Sequence, residues 1–343
     1  MRLAILSGGS DSQGINAAIR SVVKAARGQF QWETFGFLRG WKGLLEGQLI
    51  PLQPENVSGV LSSGGTLLGT SATNPIRHSQ GLDKIREVLR DKSIDALVVL
   101  GGRDIQKIAA GLYRENIPVT GIPCSVDNDL ARTDYSIGFQ SAVSVVTEAV
   151  DRLHTTASAH HRVMVLEVMG RDTGWVALYG GLGGGADWII IPEVQPHFQD
   201  LKKHLQERVD RGKNFSIIVI AEGATLPEVP LVSIREADEF GRIRMDRRNV
   251  GHLLGRELEK STGFEARVTV LGHLQRGGPP CAGDRILATR MGVEAVELIR
   301  QKKFGRMVTF QGNRTSSETL ERVMKESPRM VPIELYNMAR LFY

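Results

Sequence analysis

Residues 98–111 read VVLGGRDIQKIAAG. A run of branched apolar residues meets two glycines, and a segment of helical character follows. The first part reads as a strand covered on both faces, the second as a helix that opens on the glycines. Gly101 and Gly102 let the backbone approach an anion, and the free N–H groups of a helix start would face it. The stretch therefore predicts a strand–turn–helix unit shaped for phosphate. The first residue after the glycines is Arg103.

The same unit recurs along the chain. Strands are expected at 3–6, 96–100, 119–123, 162–168, 187–192, 215–221 and 267–272. The intervening segments read as helices. In 139–153, Ala142, Val145, Val146, Ala149 and Leu153 line one face. Alternating strands and helices predict a doubly wound α/β architecture with mainly parallel sheets. The 343 residues permit one large domain or two ordinary ones. The polar stretch 225–250 reads as a surface excursion between a strand and a helix.

Composition narrows the function. With 41% hydrophobic and 24% charged residues the chain is globular. A net charge of +5 is spread along the sequence, which suits anionic small substrates better than nucleic acid. Cys124 and Cys281 are the two cysteines, too few for a disulfide framework, which suits a reducing compartment. The apolar start is too short for a signal-peptide core or a membrane span, so a cytoplasmic protein with no membrane partner is expected.

Ligands of open α/β sheets sit at the carboxyl ends of the strands. After the first strand, Gly8, Gly9 and Gly14 open a loop of the kind that faces anions. After the third, Asp127 and Asp129 project to one side if the chain is extended. One would take a hydroxyl proton and the other hold a metal, or both belong to a capping turn. Arg162, Arg171, Arg267, Arg276, His273 and Glu222 are expected to collect at the same sheet edge. There the arginines would grip a phosphate, and Glu222 would accept from sugar hydroxyls.

In the segments GG…GINAAIR, GGT at 64–66, DND at 127–129, MGR at 169–171 and GHLQRGG at 272–278, the chain resembles the phosphofructokinase family. The closing MARLFY looks like that family's C-terminus. The resemblance implies two α/β domains, 1–138 plus about 275–325 and 139–274 plus about 326–343. It also implies a homotetramer, or a heteromer with an active paralogue. The activity implied is the glycolytic transfer of a phosphoryl group from ATP or pyrophosphate, with Mg²⁺, to the 1-hydroxyl of fructose 6-phosphate.

Residue by residue, the resemblance makes Asp127 the base and Asp129 the carboxylate near the metal. Ser125 and Arg171 would steady the transferring group. Met169, Gly170, Glu222 and His273 would contact the sugar, and Arg162, Arg267 and Arg276 its 6-phosphate. Arg162 and Arg267 would come from a neighbouring subunit. Gly9, Asp11, Gly101, Gly102, Arg103 and Asp104 would face the donor.

The donor half departs from the family. Ser10 replaces a glycine and Gln13 a proline. Ala72 replaces an arginine, Arg103 a metal-binding carboxylate, Ile105 a small hydroxyl residue and Ile108 a glycine. Asp104 resembles the pyrophosphate-using branch, but Cys124 replaces that branch's lysine. Arg20, Lys24, Asp187, Arg211 and Lys213 match an allosteric effector pocket of bacterial members, while Pro54 and His154 replace basic residues there. Two functions stay open. One is an active phosphofructokinase with poor ATP activity. The other is a catalytically impaired member that binds a sugar phosphate as a regulatory or heteromeric subunit. A lipid or NAD kinase is disfavoured, because MGR and GHLQRGG have no role in one.

Overall fold

The computed structural model describes residues 1–229, 240, 241, 245 and 248–343. Most of the expected excursion at 225–250 lies outside the described residues. The chain divides into two compact units, the first of residues 1–141 and 276–328, the second of 142–275 and 329–343.

The first unit is built on an eight-stranded sheet. Its strands are β1 (Arg2–Ser7), β2 (Glu33–Phe37), β3 (Leu49–Pro51), β4 (Ala96–Gly101), β5 (Val119–Ser125), β6 (Ile137–Gly138), β11 (Arg306–Gln311) and β12 (Arg314–Thr319). The order is β12-β11-β5-β4-β1-β2-β3, with β6 beside β5. Neighbours run parallel except for β11 with β12 and β2 with β3. The crossover direction reverses between β1 and β4. Their carboxyl ends therefore frame a crevice, the place where such sheets take ligands.

One face of this sheet carries Leu3, Ile5, Val98, Leu100 and Ile122, packed with helices α1 (Ile15–Phe30) and α9 (Ala282–Arg300). The two helices meet where Gly292 faces Ser21. A Cβ on Gly292 would lie 2.6 Å from the Ser21 Cβ, so only glycine permits this approach. Strand residues alternate in facing, so Ala4, Leu6, Leu97 and Val99, equally buried, face the other way. Helices α2 (Trp41–Leu45), α3 (Gly81–Asp91), α4 (Arg103–Arg114) and α10 (Leu320–Glu326) complete the unit. The apolar face of α4 is Ile105, Ile108, Ala109 and Leu112.

The second unit has a four-stranded parallel sheet in the order β10-β7-β9-β8. The strands are β7 (Val163–Val168), β8 (Trp188–Ile190), β9 (Ser216–Ala221) and β10 (Ala266–Val270). Every residue of β7 and β9 is buried, as continuous apolar runs predict. The helices are α5 (Phe139–His160, starting in the first unit), α6 (Trp175–Gly184), α7 (Phe198–Asp210), α8 (Val250–Thr262) and α11 (Ile333–Ala339).

The buried line of α5 is Ala142, Val146, Val150 and Ala157, whereas the expected Val145, Ala149 and Leu153 are only partly covered. The cause lies in α6. A Cβ on Gly180 would meet Val146 Cγ1 at 2.4 Å, and one on Gly184 would meet Val150 Cβ at 2.6 Å. A bare glycine ridge thus receives two valines and rotates the seam. At the sheet edge, the Ile189 N–H donates to Tyr343 Oη at 3.1 Å and the Ile189 carbonyl accepts from Tyr336 Oη at 3.2 Å. The C-terminal tyrosines thereby cover an edge that would otherwise expose unpaired backbone.

Candidate active site

In the first unit, the loop after β1 is tied down before any ligand is considered. The Gly8 N–H donates to the Leu100 carbonyl at 3.0 Å, and Thr70 Oγ1 donates to the Gly9 carbonyl at 2.7 Å. Ser7 Oγ lies 2.8 Å from Thr66 Oγ1. Asn16 holds the GGT segment, donating to the carbonyls of Ser63 and Gly64 and accepting from the Leu67 N–H. Gln13 is fully buried and donates to the Gly277 carbonyl at 2.9 Å, so its amide has a structural bond where the family's proline would have none.

The second donor loop is Gly101–Gly102 with the first turn of α4. Gln106 pins it. Its buried Nε2 donates to the carbonyls of Gly101 (3.1 Å), the last residue of β4, and Ile122 (3.0 Å), in the middle of β5. Residue 121 must be glycine for this, because a Cβ there would lie 2.0 Å from Gln106 Oε1. Ile105 is 1% exposed and fills the space beside the glycines. Its side chain would lie 3.0–3.2 Å from a Cβ on Gly8 or Gly9 and 2.6 Å from one on Gly101. The narrow approach those glycines provide is thus occupied, on this side, by an isoleucine. Ile108 is buried as well. Asp104 sits in the first turn of α4, where the helix dipole favours a carboxylate.

After β5 the chain bends. Asn128 adopts φ 53°, accepts from the Ser136 N–H at 2.8 Å and donates to the Asp134 carbonyl at 3.1 Å. The chain is therefore not extended across 127–129, the geometry on which Asp127 and Asp129 were expected to project to one side. The Asp127 N–H donates to Ser125 Oγ at 3.1 Å. Asp129 is 6% exposed, and its Oδ2 lies 3.2 Å from Arg103 Nε. The anomalous arginine is thus the counter-charge of the carboxylate assigned to the metal. These residues do not fit a protein-held Mg²⁺. A guanidinium already neutralises the more buried acid, and among the described residues no cluster of three His, Cys, Asp or Glu side chains could hold a metal.

In the second unit, the turn after β7 is packed against the turn after β9. Gly170 has φ 144°, and its carbonyl accepts from the Gly223 N–H at 2.9 Å. A Cβ on Gly223 would lie 1.8 Å from the Arg171 carbonyl oxygen. The Glu222 N–H donates to the Val168 carbonyl at 2.8 Å, and Arg248 Nη1 donates to the Glu222 carbonyl at 3.1 Å. Gln275 is fully buried, accepts from the Met169 N–H at 3.1 Å and donates to the Gly272 carbonyl at 3.0 Å. Met169, Gly170, Arg171 and Glu222 therefore sit together at the carboxyl ends of β7 and β9. His273 is exposed in the Gly272–Arg276 turn. Arg171 Nη1 is buried and has no hydrogen-bond partner among the described residues, and in the first unit the same holds of Arg276 Nε.

Arg162 and Arg267 are elsewhere. Arg162 precedes β7, and Arg267 is the second residue of β10, whose Ala266 pairs with Val163. Both arginines bind Glu265, Arg162 Nε at 2.6 Å from Oε2. Arg162 holds the Glu265 carboxyl below its ordinary range. These two lie at the amino ends of the strands, so the expected single cluster at one sheet edge is not formed within the chain. The linear sequence hides this, because Arg162 ends a helix–strand link and Arg171 ends a strand.

The expected effector residues are dispersed in role. Arg20 and Lys24 lie on α1. Asp187 is engaged by the fold, accepting from the Ile217 N–H at 2.8 Å and pairing with Arg208 at 2.8 Å. Burial raises the Asp187 carboxyl, and Arg208 works against that. Arg211 lies 3.7 Å from Glu207, and Lys213 lines a cavity of about 240 Å³ together with Arg162.

The Phosphofructokinase family model matches residues 2–299. The chain belongs to the phosphofructokinase family. It is 44% identical over 346 residues to a protein of Amycolatopsis mediterranei (strain S699) named pyrophosphate–fructose 6-phosphate 1-phosphotransferase, with 100% of both chains covered. It is 40% identical over 346 residues to the ATP-dependent 6-phosphofructokinase of Corynebacterium efficiens, with 100% of this chain and 99% of that one covered. The T-state crystal structure of Pichia pastoris phosphofructokinase superposes with a TM-score of 0.82 at 32% identity over 95% of this chain. The match spans 35% of the Pichia chain. Phosphofructokinase relatives with either named donor thus resemble the chain to nearly the same degree.

Proposed function

We propose that this protein transfers a phosphoryl group to the 1-hydroxyl of fructose 6-phosphate, with pyrophosphate favoured over ATP as donor. Asp127 takes the hydroxyl proton, the sugar oxygen bonds to phosphorus, and the donor's bridging oxygen leaves with its electron pair. Ser125 and Arg171 steady the transferring group. Met169, Gly170, Glu222 and His273 hold the sugar, and Arg276 its phosphate, joined by Arg162 and Arg267 from a second copy. Gly9, Asp11, Gly101, Gly102, Arg103 and Asp104 face the donor. The site works in a cytoplasmic oligomer. Among the described residues no helix is long and apolar enough to cross a membrane.

The observation that carries the acceptor side is the pair of buried guanidinium nitrogens on Arg171 and Arg276. Phosphoryl transfer is mostly positioning and charge neutralisation, which such groups supply. The donor preference rests on Asp104 in the first turn of α4 and on the closure of the glycine loop by Ile105. A second reading has its own support. The Arg103–Asp129 pair and Ile105 also suit a member whose donor site is closed and which only binds the sugar phosphate.

A coupled assay with fructose 6-phosphate and a donor panel separates the two. Turnover with pyrophosphate above that with ATP is expected, together with a loss of about 10²–10⁴-fold in Asp127→Asn. Binding of the sugar phosphate without turnover on any donor would establish the second reading.

A further inference from the structure

A cavity of about 690 Å³ lies against the C-terminal half of α4, on the first unit alone. It is bounded by α4, by the start of β11 and by α10. Asn116 and Arg306, both in its wall, stand at the entrances to β5 and β11. The cavity is therefore at the amino ends of these strands, away from the strand ends that carry Ser125 and Gly102.

Its lining carries an excess of positive charge. Lys107, Arg114 and Lys325 line it, and their side chains make no hydrogen bond or ion pair among the described residues. Neighbouring carboxylates are already taken. Glu115 binds Arg86, Glu318 binds Arg322, and Glu326 binds both Arg132 and Arg322. Arg306, also in the wall, is turned to Ser317, with Nε 2.8 Å from its Oγ. Glu321 is the one carboxylate in the lining, against Lys107, Arg114, Arg306 and Lys325.

Its lining is apolar between those cations. Phe304, Leu320 and Met324 contribute, and Tyr113 remains 46% exposed. The Tyr113 ring lies directly on Gly305, where a Cβ would be 2.2 Å from Tyr113 Cδ1. Glycine at 305, with φ 70°, is what lets an aromatic ring stand in this wall. An open aromatic surface ringed by unpaired cations is complementary to a ligand with an anionic group and a planar or apolar body.

We infer that this cavity binds an organic phosphate, its phosphoryl group held by Lys107, Arg114 and Lys325 and its apolar or aromatic body on Tyr113, Phe304 and Met324. This does not rest on the transfer reaction proposed above. Calorimetric titration of the full chain tests it, with inorganic phosphate, glycerol phosphate and a purine nucleoside monophosphate as probes. Each is titrated into wild type, into Arg114→Ala/Lys325→Ala and into Arg276→Ala.

The nucleoside monophosphate is expected to bind tighter than about 1 mM, on the order of 10²-fold weaker in the double variant, and unchanged in Arg276→Ala. Should the double variant fold poorly, Lys107→Gln is expected to give about a tenfold loss. Absence of wild-type binding up to about 10 mM overturns the inference. So does a loss in Arg276→Ala with the double variant unaffected. Equal affinity for inorganic phosphate and the nucleoside monophosphate removes the role of Tyr113 and Phe304.

Discussion

Arg103 and a divalent cation answer the same electrostatic demand in different ways. Asp129 is buried, and a buried carboxylate needs a counter-charge. A guanidinium supplies one positive charge in a fixed plane. Mg²⁺ would supply two and demand near-octahedral oxygen ligands. With Arg103 Nε 3.2 Å from Asp129 Oδ2, the protein carries its own cation. Arg103→Asp should therefore convert this spot into a metal site. Its melting temperature is expected to fall in a chelator and recover in millimolar Mg²⁺, while wild type ignores the metal. A wild type stabilised by Mg²⁺ under the same conditions would show that Asp129 recruits it despite the arginine. Glu167 makes a second case at this scale. It is a buried residue of β7 and accepts from the Gly251 N–H at 2.8 Å, yet burial outweighs that bond and raises its carboxyl above the ordinary 4.5. A raised acid favours the folded state below its unfolded pKa, and that contribution is lost as pH rises through the folded value. Glu167→Gln keeps an acceptor oxygen without the ionisation. Thermal melts of the variant should accordingly depend less on pH from about 4.5 upward than those of wild type; parallel curves would exclude the group as a source of pH dependence.

At the scale of elements, the α5–α6 seam shows why some packing was legible and some was not. The apolar runs of β1, β4, β5, β7 and β9 are buried on both faces, and hydrophobic periodicity shows such strands directly. β2, in ETFGF, and β11, in RMVTFQ, lack a continuous run, because each pairs with an antiparallel partner at or next to a sheet margin. Periodicity also placed α5 in the core but turned it toward Val145 and Leu153. The true seam is set by Gly180 and Gly184 of another helix, and a single segment cannot report which partner surface is concave. The site followed the same rule. Glycines and aspartates at strand ends could be read. The roles of Gln106 and Gln275 could not, because what they satisfy is carbonyls and N–H groups brought near only by folding. A polar residue inside the apolar stripe of α4 was the available signal for Gln106. The seam gives a direct prediction. Gly180→Ala adds a Cβ 2.4 Å from Val146 Cγ1, and such overpacking should cost about 1–3 kcal/mol. Denaturant unfolding should show the loss, and Val146→Ala should restore part of it in the double variant. A double variant no better than Gly180→Ala would place the strain elsewhere.

The whole molecule poses a problem that one chain does not solve. Arg162 and Arg267 stand at the amino ends of β7 and β10, and Met169, Arg171 and Glu222 follow the carboxyl ends of β7 and β9. A strand of six residues is about 20 Å long, well beyond the span of one sugar phosphate. If both sets serve fructose 6-phosphate, the arginines of one copy must serve the site of another. Complementation between inactive variants decides this. Arg162→Ala and Glu222→Gln should each lose most of their affinity for the sugar phosphate. In a mixed dimer, one site then collects both substitutions and the other collects neither. Random co-assembly makes about half the dimers mixed, so about a quarter of the sites regain both residues. Co-expression of the two variants with different tags, followed by purification on both, enriches the mixed species and should raise recovery to about half the sites. Activity or sugar-phosphate binding that is merely the average of the two parents would mean that each chain holds a self-contained site. Arg162 would then have only the role its bond to Glu265 already gives it, closing the amino end of the sheet.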